Sequence, residues 1–287
     1  MSSTSRKQGG YAALALVLVL VLIFVLAALI ASYSARRGYA GVTHTVRAQR
    51  HFLARARARV MRYYEAHAAD LDGNGNAPWT GPQLLVRAGV PPRWQVAAFI
   101  GAGQSTTLDG GAITLDYRDI WLALPGSATG GRAVPAVLNT GTNVFQPGTS
   151  PAWTEIHGED VEDALFVRAQ SQLARLSDRL TAMYEADIDE DPGRNAAVDY
   201  WQPAGCGPYG GGAIACTNGQ FLPAADLNLP EALGAQRIAT ENPWGLTLTA
   251  NNTAPDANDT APPYTMLWQS PLPWGGALTA IVTAPLI

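Results

Sequence analysis

The sequence predicts an α+β protein with an N-terminal transmembrane helix that continues into an amphipathic helix. Two tandem domains follow, each a helix packed on an antiparallel sheet. Three observations predict this class. Residues 11–34 carry no charged side chain. Two amphipathic helical patterns come after them, the second beginning near residue 159. Short β-rich segments follow each pattern, separated by turns drawn from 29 Gly and 20 Pro.

The uncharged run is long enough to cross a bilayer core of about 30 Å as a helix. Arg6 and Lys7 precede it, and Arg36 and Arg37 follow it. A cleaved secretory peptide is disfavoured because its apolar core would be shorter and would end in a small-residue cleavage site. A plain signal anchor fits the length, although the nearly symmetric flanking charges specify its orientation weakly. We therefore expect a transmembrane helix over residues 11–35.

Each predicted domain begins with a long amphipathic helix. In the first, apolar residues recur every seven positions from Val46 to Val60, and the pattern continues to Ala69. Its remaining surface is rich in arginine: Arg47, Arg50, Arg55, Arg57, Arg59 and Arg62. Two interpretations stand for this surface, a solvated helix face or a face that contacts acidic neighbours or lipid head groups.

The second helix is predicted over residues 159–186, because acidic residues suit the first turn of a helix and an apolar stripe follows them. The stripe consists of Leu165, Ala169, Leu173, Leu176, Leu180 and Met183. Four segments are predicted as strands from their alternation or β-rich composition between Gly and Pro. They are residues 113–117, 120–125, 245–250 and 264–269.

Four features of the first half recur in the same order in the second half. They are VRAQ at 46–49 and 167–170, YEA at 64–66 and 184–186, an acidic loop at 68–76 and 187–195, and a Tyr and a Trp before a final apolar strand, at 117–121 and 264–268. Four matches in one order indicate an internal duplication, and the alternative is two unrelated units with chance identities. The predicted segments are a leader at 1–10, the transmembrane helix at 11–35, a first domain at 36–145 and a second domain at 146–287.

The charge of the chain is divided unevenly between its two parts. Residues 1–67 carry ten Arg and Lys and one acid, whereas residues 68–287 carry nine Arg and 22 acids, a balance of −13. Phosphate backbones are bound by broad basic surfaces, so the balance of the distal part argues against a nucleic-acid-binding surface. We predict no nucleic-acid partner.

Two acidic loops are candidates for a calcium site. The first offers oxygen side chains at alternate positions: Asp70, Asp72, Asn74 and Asn76. The second offers three carboxylates: Asp187, Asp189 and Asp191. Alternating oxygen ligands on a tight turn are what Ca²⁺ requires, although Gly81 stands where a complete EF-hand has a bidentate Glu. A metal-free Asp/Asn/Gly turn explains the same residues, so Ca²⁺ is the one cofactor predicted, as an alternative to that turn.

The two cysteines, Cys206 and Cys216, close a short Gly-rich loop. A disulfide of this loop size contributes about 2–3 kcal/mol and suits an oxidising compartment. The alternative is a pair of free or metal-binding thiols, but none of the four His has ligand spacing to them. The sequence contains no nucleophile elbow, no H-E-x-x-H and no phosphate-binding loop, so we expect no enzymatic activity.

The N-terminal junction resembles the leader of type IV pilins and type II secretion pseudopilins. Basic residues are followed by Gly9 and Gly10, then by an aromatic residue, then at once by the apolar run. The resemblance implies that a prepilin peptidase cuts between Gly10 and Tyr11 and that Tyr11 becomes N-methylated. Members of the family usually carry a glutamate at the fifth mature position, where this chain has Ala15. Tip pseudopilins and some minor pilins lack that glutamate, so the resemblance implies such a subunit.

The resemblance further implies a structural and assembly role in a type IV pilus or a type II secretion pseudopilus, with two pilin-like domains. The implied partners are other pilin or pseudopilin subunits, contacted through the N-terminal helix, together with the prepilin peptidase and the inner-membrane assembly platform. The implied location is the bacterial inner membrane, with the C-terminal part in the periplasm, and then the filament at the cell surface. The alternative function is a single-pass, membrane-anchored periplasmic binding protein outside any filament.

Overall fold

The computed structural model describes residues 47–73, 77–108, 112–126, 132–193, 195, 197–228, 240–253 and 257–285. Contacts divide the chain into two units, Met1–Ala54 and Arg55–Ile287. In the first unit, the described residues 47–54 are helical. The elements and sites below all belong to the second unit.

The second unit contains four described α-helices. They are α1 (55–66), α2 (Ala68–Asp72), α3 (Gly81–Arg87) and α4 (Gly158–Glu190). Short 3₁₀ turns lie at Pro92–Trp94 and Ala224–Leu227. The predicted second helix is confirmed as α4, which extends four residues beyond the predicted end. All six residues of its predicted apolar stripe are buried, because positions three or four apart share one face of a helix.

The strands form small antiparallel sheets. They are β1 (Ala97–Ile100), β2 (Gln104–Leu108), β3 (Ile113–Tyr117), β4 (Ile120–Ala123), β5 (Val137–Asn139), β6 (Val144–Gln146), β7 (Trp153–Ile156), β8 (Leu222–Pro223), β9 (Thr249–Asn251), β10 (Thr265–Pro271) and β11 (Ala277–Thr283). One sheet has the order β1-β4-β7 and another the order β11-β10-β9-β8. The pairs β2–β3 and β5–β6 form two-stranded ribbons.

Both larger sheets place a tryptophan in an inner strand. Trp121 lies in β4 between β1 and β7, and Trp268 lies in β10 between β11 and β9, and both side chains are buried. Tyr64 and Tyr184, near the ends of the two long helices, are buried as well, and each donates its hydroxyl to a backbone carbonyl. These four residues belong to the repeated sequence features, and the internal duplication stays a prediction. The strand β7 follows the predicted boundary at residue 145 and pairs with β4, so the first sheet draws strands from both sides of that boundary.

Helix α4 contacts both sheet regions. It packs against β10 and β11 of the second half and against β3 of the first half. The two short helices lie in the first half, where α3 packs on β1 and α2 packs on β3. Because one helix covers strands from both halves, the contacts group Arg55–Ile287 as a single compact unit.

The predicted fold class needs a correction. The α+β class and the antiparallel pairing agree with the structure. The class also required a transmembrane helix, and no helix among the described residues is long and apolar enough to cross a bilayer. The long helix α4 has acidic or basic side chains in its first, middle and last turns, which a bilayer core would exclude. The predicted leader and the segment 11–35 lie outside the described residues.

Candidate functional site

The processing residues and part of the first calcium loop fall outside the described part of the chain. Gly10, Tyr11, Asn74 and Asn76 are among these residues. Asp70 is exposed on α2, whereas Asp72 at the end of the same helix is only 4% exposed. Asp72 therefore faces the protein interior while Asp70 faces solvent. Calcium binding by this loop stays a prediction.

The second predicted loop is largely helical. Asp187 and Asp189 lie within α4, two positions apart, and residues at this spacing do not share a helix face. Asp191 follows the helix and accepts hydrogen bonds from the Tyr200 hydroxyl at 2.7 Å and from the Gly193 N–H at 2.9 Å. These hydrogen bonds, chiefly the one from Tyr200, hold the pKa of Asp191 below its ordinary value. The structure explains Asp191 as a helix-end residue, and calcium binding here also stays a prediction.

The predicted disulfide between Cys206 and Cys216 is confirmed. Their Cα atoms lie 5.5 Å apart, within the range that a disulfide spans. The bond closes the loop between a buried segment at Tyr200–Gln202 and the strand β8. It fixes a Gly-rich region that has little regular secondary structure of its own.

An acidic cluster that no sequence pattern indicates lies where α4 begins. Within the described part of the chain, Asp119, Glu155 and His157 are the one group of at least three His, Cys, Asp or Glu whose ligand atoms lie within 4.8 Å of one another. Both oxygens of Asp119 already accept hydrogen bonds, from the Gly158 N–H at 3.0 Å and from Nε2 of Gln104 at 2.8 Å. Asp119 thereby satisfies a free N–H at the start of α4, and this accounts for its position without an ion.

A second missed cluster is fully buried and joins the two halves. Asp72 on α2 and Glu162 on α4 are close enough for their charges to interact, and Glu162 has no exposed surface. Oε2 of Glu162 accepts a hydrogen bond of 2.7 Å from Nε1 of Trp244. Nε of Arg118 lies 3.9 Å from Oδ1 of Asp72, and it donates to the Leu71 carbonyl at 2.9 Å.

Burial raises the pKa of both carboxyls, and for Glu162 the negative charge of Asp72 raises the pKa further. Both Asp72 oxygens and Oε1 of Glu162 have no hydrogen-bond donor while the two acids are ionised. A single proton held by Glu162 supplies that donor and removes one of two adjacent negative charges. We therefore interpret this cluster as one shared proton balanced by the guanidinium of Arg118.

An open, basic depression lies on the surface beside α1 and α3. Its volume is about 300 Å³, and we name it the Arg pocket. It is lined by Arg59, Arg62, Tyr63, Ala66, His67, Arg87 and Ala88. The Tyr63 and His67 rings stack with centroids 4.0 Å apart, and Trp79 meets the Tyr63 ring edge-on at 5.4 Å. Arg59 and Arg62 belong to the arginine-rich face that the sequence indicated, whereas no sequence pattern placed Arg87 beside them.

The Arg pocket carries unbalanced positive charge. The ion pairs between described residues join Arg118 to Asp72, Arg168 to Glu65, and His157 to Glu155, so none of them involves an arginine of the pocket.

Comparison with known proteins gives no match to a family model, to a curated protein or to a solved structure. The functional argument therefore rests on the residues of this chain.

Proposed function

We propose that this chain is a minor pilin or a tip pseudopilin, a structural and assembly subunit of a type IV pilus or a type II secretion pseudopilus. The observation that carries the proposal is the junction of Gly9, Gly10 and Tyr11 between basic residues and the uncharged run 11–34. Ala15, in the place of the usual glutamate, favours a minor or tip subunit over a major one.

The folded unit is compatible with this role. Its long helix α4 packs on an antiparallel sheet, which is the arrangement that the family resemblance implies for the extracytoplasmic part. The disulfide between Cys206 and Cys216 suits an oxidising compartment such as the periplasm. The role is one of assembly rather than catalysis.

The proposed mechanism uses one apolar surface twice. The uncharged run holds the precursor at the inner membrane, and after cleavage the same residues pack against equivalent segments of neighbouring subunits. Moving the helix from lipid into the filament costs little free energy, because lipid tails and the core of a helix bundle are equally apolar. A unit as large as Arg55–Ile287 would crowd the side of a filament, which favours a position at its tip.

The alternative is a membrane-anchored periplasmic binding protein that joins no filament. The observation that favours it is the Arg pocket, an open depression in which aromatic rings lie beside charged groups that could orient a small ligand. The two functions differ in what happens to the N-terminus. Only the pilin-like function requires the prepilin peptidase.

Mass spectrometry of the mature N-terminus in cells with and without the prepilin peptidase tests the proposal. We expect N-methylated Tyr11 in the first cells and an intact leader in the second. A Gly10→Val variant should stay uncleaved in both, and Ser5→Ala, which leaves the junction intact, should behave as wild type. An intact Met1 in peptidase-containing cells, or a cut near residue 34, contradicts the proposal.

A further inference from the structure

We propose that the Arg pocket binds a terminal phosphate group, carried either by a free organic phosphate or by a phospholipid head group. The inference rests on the geometry of α1 and α3 and does not depend on the assembly role proposed above. Three guanidinium groups, from Arg59, Arg62 and Arg87, line one cavity together with the imidazole of His67. Three guanidinium groups on one exposed surface create a local positive potential that attracts anions.

The two arginines from α1 are held by uncharged partners. Arg59 donates from Nη1 to the Gly89 carbonyl, and its guanidinium lies 5.2 Å from the centre of the Trp94 ring. Arg62 donates from Nε to the Ala58 carbonyl at 3.2 Å. Carbonyl groups and rings orient a guanidinium without neutralising it. Both side chains are therefore positioned while their positive charge stays available to a ligand.

The other side of the pocket is built in the same way. The Arg87 guanidinium lies 4.9 Å from the centre of the Trp79 ring, which is the distance of a cation–π contact. Nδ1 of His67 donates to the Tyr63 carbonyl at 3.0 Å, and the two rings stack. Preorganisation of this kind lowers the entropy cost of binding, since the side chains are ordered before the ligand arrives.

The donor set suits phosphate better than carboxylate. A guanidinium presents a planar fork of N–H donors that pairs with two oxygens of an anion. A carboxylate has two oxygens and saturates one such fork, whereas a terminal phosphate has three oxygens and carries up to two negative charges. Three guanidiniums around one cavity therefore match a phosphate group.

The surroundings also limit the size of the ligand. Residues 68–287, which supply Arg87 and most of the folded unit, carry a balance of −13, so the unit as a whole does not favour a long polyanion. A single phosphate needs only the local charge of the pocket. The proposal is for this reason restricted to one phosphate group on a small molecule or a lipid.

Titration calorimetry of the full chain in an uncharged detergent tests the proposal. The probes are inorganic phosphate, glycerol 3-phosphate and the water-soluble lipid dihexanoylphosphatidic acid, with acetate and the phosphodiester dihexanoylphosphatidylcholine as comparison ligands. Saturable binding of glycerol 3-phosphate at one site per chain identifies a free organic phosphate as the source. Binding of the phosphatidic acid alone identifies a lipid head group, and either result supports the phosphate site.

The matched variants are Arg62→Gln and Arg87→Gln, with Arg175→Gln as the control. Arg175 is an exposed helical arginine that bonds the carbonyl four residues earlier, as Arg62 does, but it lies on α4 away from the pocket. We expect each pocket variant to weaken binding about tenfold or more and the control to change it less than about twofold. Circular dichroism checks that each variant is folded, and both arginines are exposed, so neither substitution disturbs the core.

Three outcomes overturn the proposal. The first is that no probe binds. The second is that acetate or the phosphatidylcholine binds as tightly as the phosphate probes. The third is that Arg175→Gln weakens binding as much as the pocket variants do, because binding would then follow net charge rather than the pocket.

Discussion

The buried carboxyls of Asp72 and Glu162 lie on segments that are distant in sequence. Keeping both carboxyls in the interior requires that one of them hold a proton. Two ionised carboxylates side by side in the interior would repel each other and would both lack donors. With Glu162 protonated, its carboxyl donates to Asp72 and still accepts from Trp244. Asp72 then keeps its charge opposite Arg118, so a single buried ion pair remains.

The shared proton predicts different effects for two substitutions of Glu162. Glu162→Gln should change the free energy of unfolding by less than about 1 kcal/mol, because an amide can accept from Trp244 and donate to Asp72. Glu162→Ala should cost about 2–4 kcal/mol, since it leaves the buried Nε1 of Trp244 without an acceptor and opens a cavity. Urea unfolding at pH 7 measures both. Equal losses in the two variants would show that Glu162 is ionised in the folded protein.

Asp199 is a third buried carboxyl, and it predicts a pH dependence. Its side chain is 1% exposed, and Oδ1 accepts from the Trp201 N–H while Oδ2 has no donor. Burial raises the pKa of Asp199 from 3.8 to about 7. The folded state therefore keeps a proton that the unfolded chain releases, and the stability from this group is complete below about pH 4 and is lost as the pH rises towards 7.

Asp199→Asn should remove that pH dependence, because an amide does not titrate. Relative to wild type, we expect the variant to gain on the order of 2–4 kcal/mol between pH 4 and pH 8. Unfolding by urea across this range measures the difference. Asp226→Asn, at an exposed position, is the control and should follow the wild-type curve. A constant difference between Asp199→Asn and wild type at every pH would contradict the assignment.

Glu162 also shows what sequence can and cannot reveal about a single residue. Acids in the first turns of α4 were interpreted as helix-start residues, and Glu159 and Asp160 are indeed exposed. Glu162 lies three positions before Leu165 and therefore on the apolar stripe, which is the signal that was available. Its partners Asp72 and Trp244 reach it only through the tertiary fold, so no local pattern could predict them.

At the scale of elements, α3 is positioned by a glycine at its first residue. The Cβ of any other residue at Gly81 would overlap the Ala98 carbonyl of β1, so the helix approaches the strand as closely as its backbone allows. This contact places α3, and with it Arg87, beside α1. It also gives a structural reason why position 81 is not the glutamate of a complete calcium loop.

Gly81→Ala should destabilise the protein by about 1–3 kcal/mol, although alanine favours helices over glycine by about 1 kcal/mol. The overlap is with backbone, which cannot move aside as a side chain can. Gly193→Ala is the control, since the nearest atom to its added Cβ is 3.4 Å away on a side chain. Thermal unfolding compares the two. A stabilised Gly81→Ala would mean that α3 and β1 are farther apart than described.

The elements differ in how well the sequence predicted them. The long stretch of helical periodicity in α4 predicted its position and its buried face. The β-rich segments predicted the positions of β3, β4 and β10. Of the predicted strand 245–250, only Thr249 and Ala250 belong to β9, because the preceding residues form a turn around Gly245 at positive φ. The strands β1, β2 and β7 had no clear alternation, and they are stabilised mainly by partners from elsewhere in the chain.

At the scale of the whole molecule, calcium binding remains a testable prediction. If either acidic loop holds Ca²⁺, the ion binds only the folded state and stabilises it. A chelator should then lower the unfolding temperature by several degrees. Asp70→Asn and Asp189→Asn each change one exposed ligand candidate, and each should reduce the effect of the chelator if its loop is the site. Identical unfolding temperatures with and without chelator would eliminate calcium from both loops.

The shared position of α4 has a consequence for the ancestry of this gene. Because α4 covers β3 of the first half as well as β10 and β11, neither half is a structural module that recombination could exchange on its own. A chimera joined near residue 146 would inherit strands without the helix that shields them. Descendants of this gene should therefore acquire or lose modules only outside residues 55–287, and inside them they should diverge by point substitution.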